Sequence, residues 1–249
     1  MYLRIFPPIH KTNPKGFLTN HNKWMRMVSL FASLMSVEEA RLLKNCTKLF
    51  PVHKQSILQA LQEPDVSDKS KKGGVDAPIA EMIELLNGSE NYATTSSCSG
   101  RVSVFVAKPT ETKSSGEWLF ITHDAIESAA QVWDSLQDLE RFPSGTVISF
   151  KFEPLVIHVM CKTLEAARQL HHITGESGFR NSGITVGKKK ITLAIRNTIL
   201  LDVPIAVDGK LLVTQEYLNF LVSLANEKFQ DNQTRIDRLT RSLHKLFES

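Results

Sequence analysis

Residues 92–105 read YATTSSCSGRVSVF. Five hydroxyl side chains, Thr94, Thr95, Ser96, Ser97 and Ser99, surround the thiol of Cys98. Gly100 and Arg101 then open an alternating strand, Val102-Ser103-Val104-Phe105. Ser and Thr at this density compete for the backbone's own hydrogen bonds, which argues against a helix interior. Two readings stand. The run is either a loop whose N–H groups and hydroxyls converge on an anion, with Arg101 supplying a fixed charge, or a Ser/Thr turn that leads into a strand.

A second stretch resembles the first. Phe179 to Gly187 reads FRNSGITVG, and its Ser182-Gly183 matches Ser99-Gly100. Each pair starts a β-branched strand and follows an amphipathic helical segment, Val75 to Leu86 in one case and Leu164 to Thr174 in the other. Each is followed by another apolar strand, 118–121 and 191–195. The order helix, polar loop, strand, strand therefore repeats, and two copies can place two polar loops around one cleft. Chance coincidence of Ser-Gly before a strand is the alternative.

Size and composition bound the rest. With 249 residues, 42% of them apolar, the chain has enough material for one large domain, or one domain and an appendage. No apolar run reaches the length of a membrane span. Cys46, Cys98 and Cys161 are isolated and odd in number, which suits a reducing compartment and gives no metal-ligand spacing. The formal charge of +4 comes from the first 37 residues, where Arg4, Lys11, Lys15, Lys23 and Arg26 meet no acid. The remainder is nearly neutral, so a nucleic-acid partner must be met by a local patch.

Residues 1–48 read as an N-terminal extension outside the core, transit-like or disordered, with a domain over 49–249. Met25, Met27 and Met35 also allow a start codon inside that region. Ser36-Val37-Glu38-Glu39 has the pattern of a capping box and predicts a helix to about Leu49, followed by another from Phe50 to Leu61. The location expected is cytoplasmic, with an organellar copy if the extension is a true transit peptide.

Several further segments carry candidate chemistry. Lys69, Lys71 and Lys72 lie in a polar loop before Asp76, which reads as a helix N-cap or as a carboxylate reaching into the cleft. Lys108 to Gly116 reads as a hairpin loop. A strand over 117–122 ends at His123-Asp124, with Asp124 as N-cap of the next helix. Thr146 to Phe152 and Leu155 to Cys161 read as two strands either side of Glu153-Pro154, and His158 lies inside the second. A lone His there is a satisfied core residue or a functional one. Lys188, Lys189 and Lys190 form a basic hairpin turn, a solvated tip or a grip on an RNA backbone. Asp208-Gly209 predicts a tight hairpin, and an apolar stripe from Tyr217 to Leu246 predicts a long C-terminal helix.

No Gly-x-Gly pair occurs among the twelve glycines, which removes a Rossmann dinucleotide loop and the glycine-rich methyltransferase loop. Walker A, Gly-x-Ser-x-Gly and His-Glu-x-x-His patterns are also missing, and no metal site is expected. TTSSCSGR at 94–101, FEPLVIHV at 152–159 and SGFRNSGITVGK at 177–188 resemble the wybutosine-synthesising methyltransferases of tRNA, as do Lys-x-Gly-Gly-Val-Asp at 71–76 and Gly-Lys-Leu-x-Val-Thr-x-Glu-Tyr at 209–217. The match spans roughly 50–239, and Lys71-Lys72-Gly73-Gly74 is looser than the family's usual spacing.

That resemblance implies an α+β fold, an internally duplicated β-α-β-β arrangement forming a mixed sheet covered by helices, distinct from the Rossmann methyltransferases. It implies methyl transfer from S-adenosylmethionine to N-4 of the demethylwyosine base, 3′ to the anticodon of phenylalanine tRNA. By the same resemblance Asp76, His123 and His158 are candidate catalytic groups. Ser96, Ser97, Cys98, Gly100, Arg101, Arg180, Asn181, Ser182 and Gly183 are candidates for holding the cofactor. Lys69, Lys71, Lys72, Lys188, Lys189 and Lys190 would grip the anticodon stem-loop. Two other classes compete: a non-catalytic RNA- or anion-binding module using the same loops, and a hydrolase dependent on Cys98.

Overall fold

The computed structural model describes residues 14–61, 74–107 and 116–248, with side chains from Val37 onward. The lysines at 69, 71 and 72 and most of the 108–116 hairpin loop lie outside the described residues. Helix α1 spans Pro14–Ala60, α2 Ala80–Gly88, α3 Ala129–Asp134, α4 Leu164–Glu176 and α5 Gln215–Glu248. The strands are β1 Tyr92–Ala107, β2 Gly116–Thr122, β3 Val147–Cys161, β4 Gly183–Val186, β5 Ile191–Ile195, β6 Leu201–Val207 and β7 Lys210–Leu211.

These strands form one sheet in the order β2-β1-β3-β5-β4, with β6 pairing β3 and β7 pairing β6. Every pair is antiparallel, so the sheet expected to be mixed is antiparallel throughout the described strands. Hairpins between consecutive strands account for three of the pairs, β1–β2, β4–β5 and β6–β7, while β3 meets β1, β5 and β6 across longer connections. The helix-strand-strand order does occur twice, as α2-β1-β2 and α4-β4-β5. The copies are unequal. In the first, the leading strand β1 pairs the central β3; in the second, the trailing strand β5 does, leaving β4 at the edge.

Three local expectations are corrected. The hydroxyl-rich run 92–101 is the first half of a 16-residue strand rather than a loop. Thr95, Ser96 and Ser97 are exposed, Thr94 is buried against Asn87 of α2, and the backbone pairs β3 from Tyr92 onward. The two strands expected around Glu153-Pro154 are one 15-residue strand. Pro154 falls between the stretches of β3 that pair β6 (147–152) and β5 (157–161), where a missing N–H forfeits least. Ser36 lies within α1 rather than opening it, and the two expected helices are one, with Pro51 inside. Cys46 and Phe50 on that helix are buried, which holds it to the sheet despite the proline. Asp208 and Gly209 adopt φ of 50° and 74°, the geometry the tight β6–β7 hairpin needs.

Helices α2 to α5 cover one face of the sheet, while Phe50 of α1 packs against Ala93 and Met160, which point the other way. On the first face Ile157, Val159, Leu193 and Ile195 pack with α2, α4 and the C-terminal half of α5. Val102, Val104, Phe150 and Phe152 pack with α3 and the N-terminal half of α5. The two halves meet at a kink where the buried positions of β3 change phase, at Pro154 and Leu155. Opposite it, Gly100 takes φ of 122°, which a side chain rarely tolerates. A Cβ there would come within 2.9 Å of Asn232 Nδ2 and 3.2 Å of the Glu153 carbonyl.

Asn232, from α5 and only 1% exposed, fills the kink. Its Oδ1 accepts from the Leu155 N–H at 3.0 Å, and its Nδ2 donates to the Ser99 carbonyl at 2.7 Å. Those two backbone groups lack a ladder partner at the kink, so the amide satisfies both. One turn on, Arg235 Nη1 donates to the Gly178 carbonyl at 2.9 Å. A single helix thus pins both polar segments singled out in the sequence. No helix among the described residues is long and apolar enough to cross a membrane.

Candidate active site

β2 ends at Thr122, paired to Val102, so the edge of β1 from Arg101 back to Thr94 has no strand on that side. Asp76 fills part of the gap. It occupies the N-cap position of a 3-10 turn over Ala77–Ile79, yet its side chain does not cap that turn. Instead Asp76 Oδ2 accepts from the Ser99 N–H at 2.7 Å and the Ser99 hydroxyl at 2.8 Å. Burial of this carboxylate, 6% exposed, is sustained by those charge-assisted bonds. Of the two sequence readings for Asp76, the structure takes the one reaching toward the polar stretch.

His123, directly after β2, arrives at the same edge. Donor atoms of Asp76, Cys98 and His123 all lie within 4.8 Å of one another. Their sequence spacing matches no metal-ligand pattern, yet the fold assembles a carboxylate, a thiol and an imidazole. Such a set suits acid–base work and orientation of a polar ligand. Asp124 does not cap the next helix, as expected from sequence; Ser128 does, accepting from the Ala130 N–H at 3.2 Å.

A second cluster lies on the sheet face away from α2, α4 and α5. Ser96 pairs His158 across β1 and β3, His158 pairs Ala194 on β5, and Ala194 pairs Gly183 on β4. The two polar segments therefore share one row of the sheet, about 14 Å apart from three interstrand spacings. Side chains join them. Ser96 Oγ is 2.9 Å from His158 Nδ1, Arg196 Nη2 is 3.2 Å from His158 Nε2, and the Arg196 N–H donates to Ser182 Oγ at 3.2 Å. His158 is half-buried on this open face, and its pKa is lowered by burial, then by Arg196 and Lys190. That keeps the imidazole neutral at pH 7.

The remaining candidates distribute as follows. Ser97 is exposed on β1, and Cys98 is half-buried beside it. Arg101 is ion-paired: its Nε donates to Glu153 Oε2 at 2.7 Å, and its Cζ sits 5.3 Å from the Trp118 ring centre. Burial opposes the Arg101 charge, but Glu153 and the neighbouring Cys98 outweigh it and hold the pKa above its ordinary value. Arg180 and Asn181 are exposed in the turn before β4, and Ser182 Oγ also donates to the Phe179 carbonyl at 2.7 Å. Lys188, Lys189 and Lys190 are exposed at the β4–β5 turn, whose backbone α1 holds through Asn45 and Cys46.

Sequence reasoning missed Arg196, Ser99 and Asn232 as site-forming residues. Asn232 carried a signal: it is a polar residue on the apolar stripe of α5, between Phe229 and Ile236. Arg196 carried none, because its role depends on strand register.

Nothing in this arrangement uses the glycine loop of a Rossmann enzyme; the antiparallel sheet and its helices define an α+β fold of a separate class. A family model described as methyltransferase TYW3 matches residues 52–245, and the chain belongs to that family. It is 46% identical over 186 residues to the tRNA wybutosine-synthesizing protein 3 homolog of Xenopus laevis, covering 73% of this chain and 72% of that protein. Identity to tRNA wybutosine-synthesizing protein 3 of Schizosaccharomyces pombe is 35% over 210 residues, covering 80% and 88%. Among solved structures, the PH1069 protein from Pyrococcus horikoshii superposes with a TM-score of 0.68 at 32% identity, over 80% of this chain and 98% of that one.

Proposed function

We propose that this chain transfers a methyl group from S-adenosylmethionine to N-4 of demethylwyosine, the base 3′ to the anticodon of phenylalanine tRNA. Membership of the methyltransferase family supports methyl transfer, and the names of the relatives support tRNA in wybutosine synthesis as the setting. The observation that carries the reading is the meeting of Asp76, Cys98 and His123 at the uncovered edge of β1, beside the open polar face.

The residues fit such a donor. Asp76, oriented through Oδ2 by Ser99, is an acceptor for an ammonium or ribose hydroxyls. Ser96 and Ser97 present hydroxyls along the exposed face. When bound, S-adenosylmethionine supplies a methyl group already activated by its positive sulfur. The chain's task is alignment of that methyl with the ring nitrogen, plus removal of the proton the nitrogen gives up. A half-buried imidazole, His123 or His158, takes that proton. Lys188, Lys189 and Lys190, with Lys69, Lys71 and Lys72, meet RNA phosphates.

The test is methyl transfer to tRNA isolated from cells lacking this modification step, read by mass spectrometry of the excised base. One added methyl on the tricyclic base is expected, together with thermal stabilisation of the protein by S-adenosylhomocysteine. Absence of both would leave the RNA- or anion-binding module and the Cys98-dependent hydrolase.

A further inference from the structure

Arg196, His158 and Ser96 form a chain whose hydrogen positions follow from chemistry alone. A guanidinium carries only donors. With Arg196 Nη2 at 3.2 Å, His158 Nε2 must be the acceptor and so bears no hydrogen. The neutral ring then carries its proton on Nδ1, 2.9 Å from Ser96 Oγ. Ser96 Oγ accepts that proton's hydrogen bond, which leaves the Ser96 O–H to point elsewhere.

We propose that Arg196 and His158 are positioning residues: Arg196 holds His158 in its Nδ1–H form, and His158 turns the Ser96 hydroxyl outward as a donor to an acceptor atom of the ligand on the open sheet face. This rests on the methyl-transfer reading only for the identity of that ligand. It also divides the labour of the two histidines. Protonating His158 at Nε2 would set an N–H against the Arg196 N–H, so the proton leaving the substrate goes to His123. Burial, Arg196 and Lys190 all disfavour the charged ring, in the same sense.

The frame around His158 is rigid enough for such a role. Its backbone pairs Ser96 on one side and Ala194 on the other, and the Thr95 hydroxyl donates to its carbonyl at 3.1 Å. Arg196 is anchored in turn by Ser182 Oγ, which binds its backbone N–H. The device therefore spans the row linking the two polar segments.

Two experiments test it on the full chain. Nitrogen-15 spectra of histidine-labelled protein at pH 7, with His158 assigned by substitution, read the tautomer without any reaction. The Nδ1–H form is expected; an Nε2–H ring or an imidazolium overturns the proposal. The second is a pair of variants assayed for methyl transfer. His158→Asn places an amide N–H where Nδ1–H stood, whereas His158→Gln places it near Nε2. His158→Gln is expected to lose about tenfold, one hydrogen bond's worth, and His158→Asn to recover most of that. Equal losses of a hundredfold or more in both variants are the signature of a lost general base and would sink the proposal. A wild-type protein that transfers no methyl at all refutes the functional reading instead, while the tautomer spectrum still decides the positioning role.

Discussion

Replacing Asn232 with leucine removes the amide that fills the kink between β1 and β3 while keeping its branched shape. Two backbone groups lose their partner, the Leu155 N–H and the Ser99 carbonyl. Each buried group left unsatisfied costs about 1–3 kcal/mol, and burying methyls in place of the amide returns about 1 kcal/mol. The expected destabilisation is therefore about 1–5 kcal/mol, a large part of the roughly 5–15 kcal/mol of a typical domain. Asn226 on the same helix offers a comparison. It also bonds one residue's N–H and carbonyl, those of Ile126, at 2.9 and 2.8 Å, but it is only half-buried. Water replaces it in Asn226→Leu, and the loss should be about 1 kcal/mol or less. Urea unfolding measures both, with an unchanged m-value showing that the same surface is exposed. Because Ser99 also holds Asp76, Asn232→Leu should weaken binding of S-adenosylhomocysteine as well. Equal stability changes in the two variants, or a loss below about 1 kcal/mol in Asn232→Leu, would refute the account of the kink.

Two further outcomes follow from the titrating groups. Burial pushes the Cys161 thiol up to about 12 and raises Cys46 as well, so at pH 8 the Cys161 thiolate fraction is about 10⁻⁴. In native protein a disulfide reagent should therefore modify one thiol quickly, the half-buried Cys98, and the other two only after unfolding; more than one fast thiol contradicts this. His158 titrates below its ordinary 6.5, so just below pH 6.5 the unfolded chain binds more protons and stability falls as pH falls through the folded value. Arg196→Met removes one cause of that shift and should flatten the slope of unfolding free energy between pH 7 and 5; a steeper slope in the variant would count against the Arg196–His158 contact.

Much of the fold was legible locally. The alternation at Val102–Phe105, the Asp208-Gly209 hairpin and the apolar stripe of α5 each depend on neighbours within a few residues, and each forms as the sequence predicts. The long motifs around Cys98, His158 and Ser182 pointed to the family. Local chemistry misled where backbone hydrogen bonds are supplied from afar. The 94–101 run looked like a loop because its hydroxyls compete for its own backbone, but β3 satisfies that backbone along one edge and Asp76 caps Ser99 on the other. Pro154 looked like a break because prolines end ladders, yet it falls where β3 has no partner to lose on one side. From the residues alone, then, came the locally determined elements, the absence of a glycine loop and the polar segments worth watching. Only the folded chain placed Asp76 and His123 beside Cys98, and Arg196 on His158. Those meetings are set by strand register across residues far apart in sequence, and register depends on the pairing of the whole sheet.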